Sequence, residues 1–404
     1  SGVKEIHYII DGVEHIAYGN VVINITGNDG WHNIEYYSID NLGNEEQHHV
    51  ATYYLDNTPP TTTIEPLIQF FKGNLTVYIN ATDIASGIKE IHYIINGIEN
   101  VAYGNVVLNL TETAEIEYYS IDALGNEETH HFATYYLDEI PPVITPSFIG
   151  NTMNVTEEGR EIVWISNLTL LEFTGDDGNG SGVKAIYYSI WGWNDSMGEW
   201  ILVINDSYTS PISFAEHGYK EFLVQYNGED NLGNIAPIKW VYVRVDSKAP
   251  VTTIEFESIK RMDGNVTVIS NISHISFVAI DDDTGVAATY YRILNKDDGT
   301  GNWSGWMDYT TPFTMNFGNY SIEYYSIDNV GNEEQHHRVD IKVEAPPPED
   351  VNMDGKVNGD DLKIVVMHWM ENESSPNWNP RADVNGDGVV NIEDVKQIML
   401  KWDD

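Results

Sequence analysis

The sequence contains no cysteine, which removes disulfides, thiolate metal sites and cysteine nucleophiles together. Basic residues are scarce: 20 Lys and Arg stand against 63 Asp and Glu, a formal charge of −43. A surface so poor in cations cannot displace the counterions of a nucleic-acid backbone, nor follow an anionic membrane. It favours divalent cations, whose hard charge seeks carboxylate oxygens. No apolar run approaches the roughly 18 residues of a membrane helix. No secretory leader opens the sequence, so for an exported protein the leader is removed or lies outside these residues. Nucleophile elbows, phosphate loops and zinc-protease signatures are also missing, although carboxylate pairs for glycoside hydrolysis are not excluded by counting in so acidic a chain. What is present suffices for packed cores: 42% of the 404 residues are hydrophobic and 12% aromatic, at a length that predicts two to four domains.

Internal repetition dominates the rest. The stretch SGVKEIHYIIDGVEHIAYGNVVINIT at Ser1 recurs as SGIKEIHYIINGIENVAYGNVVLNLT at Ser86. IEYYSIDNLGNEEQHH at Ile34 recurs at Ile116 and Ile322, with a looser copy at Val224. Pro59-Pro60, Pro141-Pro142 and Pro250 follow Asp56, Asp138 and Asp246, punctuating the units. Equivalent aspartates Asp40, Asp122, Asp230 and Asp328 are spaced 82, 108 and 98 residues apart. These are domain-sized units, which predicts domains at 1–57, 58–139, 140–248 and 249–345.

Within a unit the apolar period is two, the mark of half-buried strands. Leu75, Val77, Ile79 and Ala81 share one face of 74–81, and further runs fall at 61–64, 89–95, 105–110, 115–121 and 130–137. Six or seven strands in about 80 residues predict an antiparallel sandwich. On the "SGV … YY.ID..GN.E" signature, and on Trp303, Trp306, Tyr309, Pro312 and Phe313 in the fourth unit, the units resemble the bacterial and archaeal immunoglobulin-like repeats of extracellular proteins. The resemblance covers about 345 residues and implies a mainly β chain of tandem Ig-like sandwiches. The first unit lacks the 27 residues, Pro59 to Ala85, that precede the SG motif in the second. By length these are two opening strands. Either the sequence starts inside a protein, or the exposed face is completed in trans by a strand of another subunit.

After Pro346-Pro347-Pro348 the pattern becomes helical, giving a last domain over 346–404. DVNMDGKVNGDD at Asp350 and DVNGDGVVNIED at Asp383 are two calcium-loop motifs. Oxygen side chains stand at positions 1, 3, 5, 9 and 12: Asp350, Asn352, Asp354, Asn358 and Asp361, then Asp383, Asn385, Asp387, Asn391 and Asp394. Gly355 and Gly388 take the sharp turn at position 6, and Lys356 and Val389 offer backbone carbonyls at position 7. Val357 and Val390 at position 8 predict an apolar ladder between the loops, and helices are expected over 362–370 and 395–402. Loop-then-helix, duplicated, with aspartate at position 12, resembles a type I dockerin module. That resemblance implies a small α-helical duplicated domain, Ca2+ as cofactor and a cohesin-like partner. Positions 10 and 11, Gly359-Asp360 and Ile392-Glu393, differ from the Ser/Thr pairs of cellulosomal dockerins. About 55 residues bury too little apolar surface to fold robustly without the metal.

Other groups admit two readings each. Fourteen Asn-X-Ser/Thr sequons, at Asn24, Asn74, Asn80, Asn109, Asn154, Asn167, Asn179, Asn194, Asn205, Asn265, Asn271, Asn302, Asn319 and Asn372, mark glycosylation sites or a clustering of Asn and Thr at strand ends. Asp56, Asp138 and Asp246, with Asp83, Asp176, Asp177, Asp281, Asp282 and Asp283, are calcium ligands between domains or ordinary turn aspartates. Trp191, Trp193, Trp200, Trp303 and Trp306 form a sugar platform or pack edges. His48-His49, His130-His131 and His336-His337 are neighbours on strands and point to opposite faces, so no pair clasps one metal. The expectation is a non-enzymatic, extracellular, archaeal surface protein, calcium-stabilised and glycosylated, serving as a fibre, filament or scaffold component. Its partners would be further copies of itself or a cohesin-like protein. The other readings are the non-catalytic tail of a secreted hydrolase and a carbohydrate-binding array.

Overall fold

The computed structural model describes residues 1–257, 261–354 and 356–402. Gly355, expected at the first loop's turn, lies outside the described residues. The chain divides into two compact units, one of residues 1–144, 175–186 and 228–237, the other of 145–174, 187–227 and 238–404.

In the first unit, residues 58–139 form two facing sheets. One has the order Val106–Leu110, Leu75–Thr82, Thr61–Glu65; the other has Phe70–Phe71, His131–Leu137, Ala114–Asp122, Ile88–Ile95, Ile98–Ala102. Alternation does the work: Val77 and Ile79 point inward and are fully buried against Ile91, Ile116 and Tyr135. All long pairings are antiparallel, and Phe70–Phe71 adds a short parallel pair to His131–Leu137. The 74–81 alternation emerges as the strand Leu75–Thr82, with neighbours one or two residues from their expected ends. Two strands escape the periodicity argument. Ile98–Ala102 is an exposed hairpin return with little inward face, and Phe70–Phe71 is too short to show a period. Residues 1–55 make a single sheet of order Val13–Ala17, Val3–Ile10, Gly30–Asp40, His49–Leu55. Residues 21–25, the counterpart of Val106–Leu110, form no strand.

The second unit holds the later β repeats and the terminal module. Val251–Phe256 pairs with Ile275–Ile280, and a six-stranded sheet runs from Arg261–Asp263 through Val266–Ser270, His337–Glu344, Gly318–Asp328 and Val286–Asn295 to Met307–Asp308. Phe277 seals its core, ringed by Tyr291, Tyr309, Phe313 and Tyr324. Val266–Ser270 runs parallel to His337–Glu344, as Arg160–Ser166 does to Lys239–Asp246.

In the terminal module α1 (Gly359–Met367) and α2 (Ile392–Leu400) start three residues earlier than the apolar period suggests. Asn358 and Asn391 are the N-caps, and Asp361 and Asp394 close capping boxes, so the last loop positions are already helical. Val357 and Val390 meet in one core with Val351, Val365, Ala382 and Ile398. The Val390 backbone also pairs with the segment after α1, its N–H donating to Glu371 O (2.9 Å) and its carbonyl accepting from Met370 N (2.8 Å).

Candidate calcium centres

Among the described residues, four groups of three carboxylates bring one oxygen each within 4.8 Å of the others. One is in the first terminal loop: Asp350, Asp354 and Asp361. The side chain of Asp361 is fully buried, accepting from Asn352 N (3.0 Å) and Asn358 N (2.8 Å) at its two oxygens. Asp354 accepts from Asn352 Nδ2 (2.8 Å) and Lys356 N (2.9 Å), and its own N–H donates to Asn352 Oδ1 (2.9 Å). The loop is thus wound around its own carboxylates, and Asp361 stands in the first turn of α1, where the positive end of the helix favours a carboxylate. Arg381 Nη1 donates to the carbonyl of Asp350 (3.1 Å), pinning position 1 through its backbone and leaving the carboxylate to the loop. The donors are oxygen only, the set that a hard divalent ion takes at six to eight places.

The second loop repeats the scaffold. Asp394 accepts from Asn385 N (3.0 Å) and Asn391 N (2.7 Å), as Asp361 does in the first. Its other carboxylates are spent differently: Asp383 is turned onto the amides of Asp387 (3.1 Å) and Gly388 (2.7 Å). Hydrogen bonds led by Asn385 hold the Asp387 carboxyl below the usual range.

The other three groups recur at matched places in the β repeats: Asp56, Asp83 and Asp122; Asp138, Asp177 and Asp230; Asp246, Asp281 and Asp328. Each lies within one compact unit. Each combines the aspartate ending one repeat, one before the next SG-type turn, and the aspartate of that repeat's "ID" strand end. Asp122, Asp230 and Asp328 are buried, and each accepts two backbone N–H groups and an asparagine Nδ2. That asparagine also donates to the preceding aspartate's carbonyl: Asn126 to Asp56 O (2.9 Å), Asn234 to Asp138 O (3.1 Å), Asn332 to Asp246 O (3.0 Å). The D-x-x-G-N signature is therefore a clamp between consecutive repeats, beyond its role as turn chemistry. Burial pushes the Asp177 carboxyl up, with the charges of Asp138 and Asp230 adding to it. Burial likewise raises Asp246, helped by Asp281 and Asp328.

Of the aspartates singled out from sequence, Asp176, Asp282 and Asp283 fall outside these groups. Asp176 caps Gly178 N (2.8 Å), Asp283 pairs with Lys220, and Asp282 neighbours it. Asp122, Asp230 and Asp328 were not on that candidate list. Their signal, one aspartate closing each aromatic strand, is absorbed by the turn reading because a turn aspartate and a ligand aspartate look alike in one dimension.

The remaining groups mostly resolve toward packing. The Arg292 guanidinium lies 4.8 Å from the Trp303 ring centre and 4.6 Å from that of Trp306, which also meets Tyr325 edge-on. Trp193 and Trp200 contact each other edge to face at 5.3 Å, and the Trp191 side chain is half-buried. His48, His130 and His336 stack on Tyr37, Tyr119 and Tyr325 and bind glutamates, not one another. Of the sequon asparagines, Asn80, Asn194, Asn271 and Asn319 are half-buried and the others exposed, so none sits in a core.

No helix among the described residues is long and apolar enough to cross a membrane. No curated protein matches the chain. Among solved structures it is similar to a Ca2+-stabilised adhesin of an Antarctic bacterium, at 13% identity over 85% of this chain and 91% of that one, TM-score 0.24. It is also similar to fibronectin(III)-like modules of Clostridium thermocellum CbhA (10%; 46% and 95%; 0.22) and to domains of titin (15%; 71% and 99%; 0.29). A family model matches the stretch where the duplicated loops lie. Residues 348–400 are a dockerin type I domain, standing at the end of a row of Ig-like β repeats.

Proposed function

We propose that this chain is a non-enzymatic, calcium-stabilised component of an extracellular scaffold or adhesive surface, held by its carboxyl-terminal module to a cohesin-like partner. The observation that carries the reading is the convergence of Asp350, Asp354 and Asp361 in an oxygen-lined loop inside the stretch matching the dockerin family. Bound calcium supplies the charge that three crowded carboxylates lack. The chain's own residues do the rest: Asn352, Asn358 and the start of α1 hold Asp361 in place, and the paired core fixes α1 against α2. The helices leave Val366, Met367, Met399 and Leu400 exposed, an apolar surface of the kind a protein partner covers. The β repeats supply reach, and their exposed sequon asparagines are positions where sugar would coat the stalk.

The threefold recurrence of the aspartate group favours a second calcium role, in which ions at Asp56, Asp138 and Asp246 stiffen the links between repeats. Calorimetric titration of chelator-stripped full-length chain tests both roles. We expect two loop ions and three cluster ions per chain, with D354N and D387N removing only the loop ions. Immobilised cohesin domains should retain the calcium-loaded chain and release it in chelator. Absence of any calcium heat overturns the reading; loss of only the three cluster ions overturns the stiffening role alone.

A further inference from the structure

In the second unit, three depressions adjoin where the third and fourth repeats meet. The first, of about 300 Å³, has Trp164 and Trp193 in its walls together with Lys220, Glu221 and Arg244. The second, of about 290 Å³, shares Lys220 and Asp283 with the first and adds Phe214, Tyr219 and Ser247. The third, also of about 290 Å³, shares Lys248 and Asp283 with the second and includes Asp281 and Asp282. Side by side they make one cleft of three compartments.

The sheet builds the first compartment. Trp164, Arg244 and Glu221 stand opposite one another on the neighbouring strands Arg160–Ser166, Lys239–Asp246 and Glu221–Asp230. Trp193 pairs with Trp200 toward the other edge of the same sheet. A side chain at Gly192 would run into the Tyr219 ring, so glycine there lets that ring lie against the strand. The polar groups are held in pairs: Arg244 bonds Glu157 (2.6 Å) and Glu221 (3.3 Å), and Lys220 pairs with Asp283. Both cations lie over the Trp164 ring, 5.6 Å from its centre.

These groups narrow the chemistry of a ligand. A cation finds its place over Trp164 already taken by Lys220 and Arg244. An anion meets five carboxylates, Asp195, Glu221, Asp281, Asp282 and Asp283, against the three cations Lys220, Arg244 and Lys248, on a chain of charge −43. A neutral ligand suits the cleft if it offers an apolar face to the aromatic rings and a rim of hydroxyls to the paired charges. Pyranose units offer both, and each compartment has room for roughly one ring.

We propose that the cleft between the third and fourth repeats binds a neutral oligosaccharide over about three sugar units. Trp193 and Tyr219 take ring faces, while Glu221, Arg244, Lys220 and Asp283 take hydroxyls. The inference goes beyond the calcium reading and does not rest on it.

The test titrates the full-length chain with cellohexaose, xylohexaose and mannohexaose, and with an oligogalacturonate as the anionic counterpart, followed by calorimetry. At least one neutral hexaose should saturate with a Kd tighter than about 1 mM. Its shorter homologues should gain affinity up to about three units and little beyond. W193A should weaken binding by about tenfold. S247W, which fills the second compartment from an exposed position, should weaken it by at least as much. W240A, a 61% exposed tryptophan outside the cleft, should bind like the parent. Four results overturn the proposal: no neutral hexaose saturating by about 10 mM; S247W binding like the parent; affinity that does not grow with chain length; or binding of the oligogalacturonate alone.

Discussion

Replacing Asp177 with asparagine should change stability in opposite directions with and without calcium. Asp177 shares its group with Asp138 and Asp230, one oxygen of each within 4.8 Å of the others. At an effective dielectric of about 20, two unit charges at that distance repel by about 3 kcal/mol. Asp177 is half-buried, so water and salt screen part of this, leaving about 1–2 kcal/mol. In chelator D177N removes this repulsion and keeps an oxygen for Gly182 N, which Asp177 Oδ2 now accepts at 2.7 Å. The local transition should therefore rise by about 4–16 °C, at about 4–8 °C per kcal/mol for a repeat of this size. In saturating calcium the same change removes a charged ligand, and the transition should fall below that of the parent chain. The pH dependence carries the matching sign. The folded Asp177 carboxyl titrates above its ordinary value because of burial first, and then Asp138 and Asp230. Its contribution to stability in chelator is thus best below the unfolded pKa and declines as pH rises through the folded one. Scanning calorimetry of parent and variant, in chelator and in calcium, reads all of this. A shift of the same sign in both media would refute the reasoning that these carboxylates await a cation.

Further outcomes follow from the same geometry. D361N should weaken calcium binding to the first loop and fray α1, because it removes both a ligand and half of the capping box; far-ultraviolet circular dichroism in calcium should show lost helix worth about 1–2 kcal/mol of stability. The Glu117 carboxylate, 2.5 Å from Nδ1, raises the pKa of His130, so its stabilisation is complete below about 6.5 and is lost as pH climbs through the folded value. A proton NMR titration of E117Q should show the His130 pKa falling back. R292A strips a cation from between Trp303 and Trp306 and breaks its pair with Glu323; it should cost about 1–3 kcal/mol in urea melts and red-shift tryptophan emission.

The strands were largely legible because half-buried strands write their geometry into a period of two. Val77 and Ile79 could be assigned to a core from their alternation with Thr76, Tyr78 and Asn80. Ile98–Ala102 could not, since it lies at a sheet edge with little buried face to impose a pattern. The carboxylate group of the first terminal loop, Asp350, Asp354 and Asp361, was legible because its members fall within twelve consecutive positions, where spacing along the chain is nearly spacing in space. The helix starts were misjudged for a related reason: Asn358 and Asn391 serve as loop residue and N-cap at once, and only the backbone shows both roles.

The aspartate groups of the β repeats mark the division. Composition, repetition and loop spacing alone determined a β-rich, cysteine-free chain of repeats followed by a duplicated loop-and-helix stretch, since each of those signals is local or periodic. Only the tertiary structure decided that Asp56, Asp83 and Asp122, up to 66 residues apart, converge, and that Asp282 and Asp283, adjacent to Asp281, do not. Both outcomes depend on which strands pair across the fold, and contacts of that range leave no period in the sequence to read.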